Sequence, residues 1–346
     1  MDGVAKLASE EREALFNETA ARLGFHPVVA EKDFWVCWTL HHLFSLEGLP
    51  TLLFKGGTSL SKAFNLIQRF SEDIDLAMDR ADLGFQGGND PLAIERTNAR
   101  RRKLKELAAK CQEVAHDSLL PKLEKSLRLV LGEDRRWSLE AENLPDGQID
   151  IRFAYPPSLH EQYGEIGYIK PSVKIELGAR SDQQPSERAT FRSYAAQEFP
   201  DYFENPDVSA LVLSPIRTFW EKATILHSVN HRVLAGERSE ALSRELSRHA
   251  YDIAKIARSD IGPRAIGDLD ILGEVTRHKS VFFSSRKCRY DLAVPGSFRL
   301  YPIAELERGL GADYREMSPM FFGETLTFQE ILVELRRAED AINSRG

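Results

Sequence analysis

The sequence predicts an α+β protein, a mixed β-sheet flanked by helices and followed by a mainly helical C-terminal domain. Three observations predict it. Between about residues 51 and 213, short apolar or alternating runs are broken by Gly and Pro, the pattern of strands joined by turns. Before and after that stretch, apolar residues recur at 3–4 spacing, the pattern of amphipathic helices. The length of 346 residues and 42% apolar content suffice for two cores, given the usual ~100–200 residues per domain. The expected division is residues 1–213 and 214–346.

Taken in order, the first fifty residues read as helical, and VVAEKDFWVCWTLHHLFSL sets Phe34, Trp38 and His41/His42 at helical spacing until Gly48 and Pro50 stop it. Such a helix is expected to pack on the strands after it. TLLFKGGTSLSKAF reads as strand, turn and helix, and SEDIDLAM as a strand with one polar face. ADLGFQGGNDP reads as a loop, RTNARRRKLKELAAK as a basic helix, and the chain from there to LPDGQ as weakly structured. IDIRFAY and SVKIELGA are two strands with a hairpin-like connection through PPSLHEQYGEIG. SDQQPSERA is expected to mark a boundary or lid, and VSALVL a last strand. RTFWEKATILHSVNHRVL, ALSRELSRHAYDIAKIA and TFQEILVELRRAEDAI then read as helices.

Composition narrows the function classes. With 53 acidic and 46 basic residues the net charge is -7, which argues against coating nucleic acid through bulk charge, though not against a local basic surface. Cys37, Cys111 and Cys288 are odd in number and lack metal-ligand spacing, which suits a reduced cytoplasmic compartment. No basic-then-apolar leader opens the chain and no run approaches the ~18 apolar residues of a membrane span, so no membrane partner is expected.

Two features carry chemistry. Asp73 and Asp75 lie two apart on an expected strand, so both side chains share a face, ~6.6 Å apart along the chain. Carboxylates so placed can share hard, oxygen-seeking Mg²⁺ ions, and two ions ~3.5–4 Å apart stabilise the charge that builds in phosphoryl and nucleotidyl transfer. Just before that strand, Gly56-Gly57-Thr58-Ser59 sits between a strand and a helix. Glycine lets backbone N–H groups approach a phosphate, Ser59 adds a hydroxyl, and a helix N-terminus favours an anion. An NTP gripped at the turn and bridged by Mg²⁺ to the aspartates is the reading the pair supports. A third carboxylate usually completes such a cluster. Asp150 in QIDIRF and Glu176 in VKIELGAR are the alternatives, and Glu176 is preferred because its strand is the more apolar.

At these residues the chain resembles the AbiEii/AbiGii toxin family of nucleotidyltransferases, within the DNA polymerase β-like superfamily. Its members are bacterial toxins of toxin–antitoxin and phage-abortive-infection systems. The matching pieces are Lys55 to Leu60, Arg69 to Leu76, VKIELGAR, RTFWEKATILH with Lys222 and SRHAYDIAKI with Asp252. The resemblance runs in order from about EKDFW at Glu31 to about Ile256, and the last ninety residues match nothing nameable. The resemblance implies a nucleotidyltransferase fold, phosphate contact by Gly56, Gly57 and Ser59, metal binding by Asp73 and Asp75, a phosphate role for Lys222 and a second acidic role for Asp252. Thr58 intervenes where many of these enzymes carry Gly-Ser directly, so which hydroxyl meets phosphate stays open. Arg248, one turn before Asp252, is a further candidate for nucleotide contact.

The residues alone read more plainly. Lys222 on an apolar helix could be a snorkelling lysine, and Asp252 a helix ion pair with Arg248 or Lys255. The basic run Arg100, Arg101, Arg102, Lys103 and Lys105 suits an RNA backbone or a solvated helix face. Arg286, Lys287 and Arg289 near Phe282, Phe283 and Tyr290 suit stacking on a nucleotide end, with core packing as the alternative. His41, His42 and His249 lack metal-ligand companions and read as structural, although His249 could line a cleft.

The expectation is an enzyme that transfers NMP from an NTP, with two Mg²⁺ ions, releasing pyrophosphate. The resemblance implies an RNA acceptor, plausibly the 3′ end of tRNA, and a genetically linked antitoxin whose direct binding is not required. Modification of a small molecule or protein, and a non-catalytic NTP- or RNA-binding module, are the alternatives.

Overall fold

The computed structural model describes residues 1–133, 136–166 and 169–346. It divides into two compact units, residues 1–63 with 70–212, and residues 64–69 with 213–346. That the short segment 64–69 belongs with the second unit is not visible in its composition.

In the first unit, the described residues form one seven-stranded sheet, β1 (Leu52–Lys55), β2 (Ile74–Met78), β3 (Ser138–Asn143), β4 (Ile149–Ala154), β5 (Ser172–Gly178), β6 (Ser186–Phe191) and β7 (Val208–Leu213). Their spatial order is β3-β4-β5-β2-β1-β7-β6. The sheet is mixed. β1 runs antiparallel to β2 and parallel to β7, while β5 runs parallel to β2 and antiparallel to β4. β4 and β5 show the clean alternation expected where one face is covered, as with Val173, Ile175 and Leu177 buried in β5, whereas β1 and β2 at the middle of the sheet are buried at successive positions.

The helix Pro27–Phe44 is buried on nearly every side. Trp35 stacks on Tyr155 at 5.2 Å and Trp38 on Phe153 at 5.7 Å, so this helix covers β4. That agrees with its pattern, since a helix apolar all round belongs inside a core.

Three segments differ from their sequence reading. The stretch expected to be weakly structured contains the helix Leu120–Leu131, seated by Leu123, Leu127 and Leu131, and the edge strand β3. β3 reads SLEAEN and is largely exposed, so it has no apolar alternation to announce it; pairing with β4 makes it a strand. SDQQPSERA is not a boundary. Its end forms β6, the opposite sheet edge, polar for the same reason. PPSLHEQYGEIG does join two adjacent antiparallel strands, β4 and β5, but it also holds the helix His160–Ile166, which its sequence reading lacked.

The second unit is helical over Pro215–Leu234, Ser247–Arg258, Leu269–Phe282, Ala304–Glu316 and Phe328–Asn343. The run expected as one helix from Ala241 to Ala257 breaks at Glu245, whose φ of 57° lies in the left-handed region. Asp313 accepts from the N–H groups of Glu245 (2.7 Å) and Ser247 (2.8 Å), and so starts a new helix there. Thr327 and Glu330 form a capping box at the last helix. Among the described residues no helix is long and apolar enough to cross a membrane.

Candidate active site

The acidic row is built by strand register. Asp75 on β2 lies beside Glu176 on β5, and Glu176 opposite Asp150 on β4, so the three carboxylates share one face of the sheet. Glu176 is the one adjacent to Asp75; Asp150 stands a strand further away. Lys174, two residues before Glu176 and therefore on the same face, bonds Glu176 at 2.6 Å and Asp150 at 2.9 Å, and Gln148 donates to Glu176 at 3.1 Å. Asp73 precedes the first residue of β2. Burial pushes its carboxyl up to about 6, and the charges of Glu72, Glu176 and Asp75 add to the effect against the opposing Lys174. A carboxylate gathered among others in a half-buried place is one that an added cation would relieve. Among the described residues no three His, Cys, Asp or Glu side chains form a ready-made metal cage. Mg²⁺ seldom needs one, since it is commonly held by one or two carboxylates, substrate phosphates and water.

The glycine turn is shaped by this row. Lys55, the last residue of β1, pairs in register with Asp75. Gly56 follows with φ 80°, and a Cβ there would lie 1.8 Å from Asp75 Oδ2. Only glycine fits, both for its backbone and for the carboxylate beside it. Thr58 and Ser59 are buried, and both hydroxyls are engaged inside the turn. Thr58 Oγ1 donates to the Asp73 carbonyl at 2.5 Å and lies 2.9 Å from Ser71 Oγ, while Ser59 Oγ donates to the Gly56 carbonyl at 2.9 Å. Thr58 thus braces the segment that leads into the aspartates. The helix begun by the turn, Gly56–Lys62, is only seven residues long, so the N–H groups of the turn matter more than any helix dipole.

A second cluster lies within the other unit. Asp252, fully buried on the Ser247–Arg258 helix, takes Arg69 in a two-pronged pair, Nε to Oδ1 at 2.7 Å and Nη2 to Oδ2 at 2.8 Å. Lys222, on the Pro215–Leu234 helix, reaches Asp252 Oδ2 at 3.0 Å and His249 Nδ1 at 3.2 Å. Burial by itself would raise the Asp252 carboxyl, but the charges of Arg69 and Lys222 outweigh it and hold it well below the usual range. Burial and then Lys222 press His249 well below its usual value, so it is neutral and can accept from the ammonium. Asp252 is therefore not the exposed helix ion pair that spacing suggests. Arg248 bonds Glu245 at 3.0 Å instead.

The sequence comparison decides the family. The model of the nucleotidyl transferase AbiEii toxin family, described as a type IV toxin–antitoxin system, matches residues 40–334. The chain belongs to the AbiEii family. This AbiEii chain is accordingly a nucleotidyltransferase, the toxin of a type IV toxin–antitoxin system, with an NTP substrate and an antitoxin partner. The match also runs well past Ile256, where the recognisable motifs end. No curated protein sequence matches. Among solved structures, the chain is similar to MenT4, a nucleotidyltransferase toxin from Mycobacterium tuberculosis H37Rv, at 17% identity over 87% of this chain and 98% of that one, with a TM-score of 0.37.

Other residues of the AbiEii chain find quieter places. Phe282 is buried and stacks on His278 at 4.4 Å, Lys287 pairs with Glu237 at 3.2 Å, and Arg289 with Asp291 at 2.8 Å. His42 bonds Ser126 at 2.8 Å and Asp2 at 3.1 Å. The three cysteines are buried and unbridged. Sequence reasoning gave no role to Arg69, although it opens one of the motifs, or to Lys32. Lys32 is 2% exposed and pairs with Glu72 at 2.7 Å. A lysine in the midst of an apolar helix was the available signal.

Proposed function

We propose that this AbiEii chain transfers a nucleoside monophosphate from an NTP to a hydroxyl of an RNA, the 3′ end of tRNA being the acceptor the family implies, in the cytoplasm of a bacterium. Blocking that end would stop translation, the effect wanted of a toxin and of an abortive-infection device. The observation that carries the reading is the glycine turn closed onto the acidic row, where a Cβ at Gly56 would lie 1.8 Å from Asp75 Oδ2 and Asp75 lies beside Glu176; burial and neighbouring carboxylates push the Asp73 carboxyl there up to about 6. Its surroundings fit a divalent cation. Asp73 and Asp75, with Glu176 as third carboxylate, would hold two Mg²⁺ ions, which when bound offset charge on the phosphates. The transfer forms a bond from the acceptor oxygen to the α-phosphorus and breaks the one to the bridging oxygen; pyrophosphate leaves with the electron pair.

The chain's own groups bind and orient. The turn at Gly56 and Gly57 presents N–H groups to phosphate, with Thr58 and Ser59 keeping the turn in shape. Lys222 acts as a point charge on the nucleotide phosphates, and Asp252 positions it. Arg248 is a further phosphate contact that would exchange Glu245 for the ligand. In this reading residues 214–346 supply Lys222 and Asp252 for the nucleotide. For the RNA, Arg101, Arg102 and Lys105 are exposed on the helix Thr97–Val114, a local basic face on an acidic protein. The antitoxin need not touch this chain.

Incubation with Mg²⁺, each α-³²P-labelled NTP and total tRNA, comparing wild type with Asp75→Ala, tests the proposal. Label on tRNA from wild type only supports it and identifies the nucleotide. Label on protein or a small molecule, with RNA blank, overturns the acceptor.

A further inference from the structure

The Pro27–Phe44 helix carries three consecutive charged residues, Glu31, Lys32 and Asp33, that are 0%, 2% and 4% exposed. Side chains one apart on a helix point about 100° away from each other, so burying one face does not account for three in a row. Each needs its own partner in its own direction. Glu31 accepts from Ser158 N at 2.6 Å and Ser158 Oγ at 2.7 Å. Asp33 pairs with Lys62 at 2.5 Å and accepts from Tyr194 N at 2.6 Å. Lys32 donates to the carbonyl of Lys170 at 3.0 Å and to the carbonyl of Ser172, and pairs with Glu72 at 2.7 Å. Two carbonyls thus accept from the ammonium, and a carboxylate balances its charge.

The acceptors fall on particular pieces of chain. Glu72 immediately precedes Asp73, and Ser172 opens β5, which carries Glu176. Lys62, the partner of Asp33, ends the helix that begins at the glycine turn. Apolar residues would fill an already apolar helix without the desolvation that three charges suffer, and such replacements are often neutral or stabilising.

We propose that Lys32 is a positioning residue for nucleotidyl transfer, tying the segment that leads into Asp73 to the start of the strand that carries Glu176, while Asp33 seats the glycine-turn helix through Lys62. This rests on the assignment of Asp73 and Asp75 to the nucleotide and its metal. Lys32 itself touches no substrate; it sets the spacing of groups that do.

The test compares the full-length Lys32→Met, Glu72→Gln and Asp73→Asn proteins with Leu127→Ala, a core truncation on the Leu120–Leu131 helix that touches none of these segments' charges. Label transfer from α-³²P-NTP gives kcat and the KM for NTP. Hydrogen exchange read by mass spectrometry gives the protection of peptides covering 68–78, 169–178 and 120–131. For Lys32→Met we expect kcat to fall at least tenfold with KM for NTP changed less than threefold. Exchange should quicken at least tenfold in 68–78 and 169–178, with 120–131 unchanged. Glu72→Gln keeps both carbonyl partners of Lys32 and should show the same pattern more weakly; it carries the test should Lys32→Met fail to fold. Leu127→Ala should retain kcat within twofold. A Lys32→Met protein whose exchange quickens everywhere alike, or whose kcat matches that of Leu127→Ala, overturns the proposal. An active Asp73→Asn would instead sink the site assignment on which it rests.

Discussion

Asp73 and Asp252 are the same residue type placed in opposite electrostatic settings. Asp252 is fully buried, yet Arg69 and Lys222 hold its carboxyl well below the usual range. Asp73 is less buried, yet burial and the charges of Glu72, Glu176 and Asp75 push it up to about 6. The first carboxylate is satisfied by cations folded around it. The second is set among its own kind, a costly arrangement for a folded protein to keep unless a cation arrives from outside. Burial alone therefore does not separate a structural acid from a functional one; the sign of what surrounds it does.

The contrast can be broken by substitution, the largest effect first. Asp75→Asn should lower label transfer by ~10³-fold or more, the scale expected when a metal-holding carboxylate is lost, with a smaller fall in thermal midpoint than Asp252→Asn. A large loss of stability in Asp75→Asn would place it with Asp252 as a structural acid. Asp252→Asn should show the larger fall. Stripping the charge that Arg69 and Lys222 share costs ~3–5 kcal/mol, a fall in midpoint on the order of 10 °C in calorimetry. An unchanged midpoint would mean the buried pair is not what holds that cluster together. Gly56→Ala should cost ~1–3 kcal/mol through its left-handed backbone and, because its Cβ would lie 1.8 Å from Asp75 Oδ2, lower transfer as well. Loss of stability with full activity would show that the turn and the aspartate do not depend on one another.

The smallest effect is in pH. Since the folded Asp73 carboxyl is raised from 3.8 to about 6, its contribution to stability is complete below the unfolded value and is lost as pH rises through about 6. The midpoint of the metal-free protein should accordingly drop by a few degrees between about pH 5 and 7, with that part of the drop absent in Asp73→Asn. Cation binding runs the other way and strengthens over the same interval.

How far this contrast was legible in the sequence depends on the distance over which partners meet. Asp73 and Asp75 are legible because strand periodicity alone puts them on one face, and the glycine turn because it directly precedes them. Glu176 and Asp150 could be proposed as polar residues in apolar strands, but only register shows which of them neighbours Asp75. The bond between Arg69 and Asp252 joins positions 183 residues apart, and no local period carries that. Lys222 and Asp252 entered through resemblance to a family, and spacing alone misread Asp252 as a helix pair. The polar edge strands β3 and β6 were missed because exposed edges need no apolar alternation, and the break at Glu245 because its cause, Asp313, lies on another helix.

The most direct test is titration calorimetry of Mg²⁺ into the protein bearing a non-hydrolysable NTP analogue, at about pH 5 and about pH 7.5, for wild type, Asp73→Asn and Asp252→Asn. Wild type should bind at least tenfold tighter at the higher pH, Asp73→Asn should show no comparable binding, and whatever fraction of Asp252→Asn is folded should retain it. Equal Mg²⁺ affinity in wild type and Asp73→Asn would contradict the assignment of Asp73 to the metal.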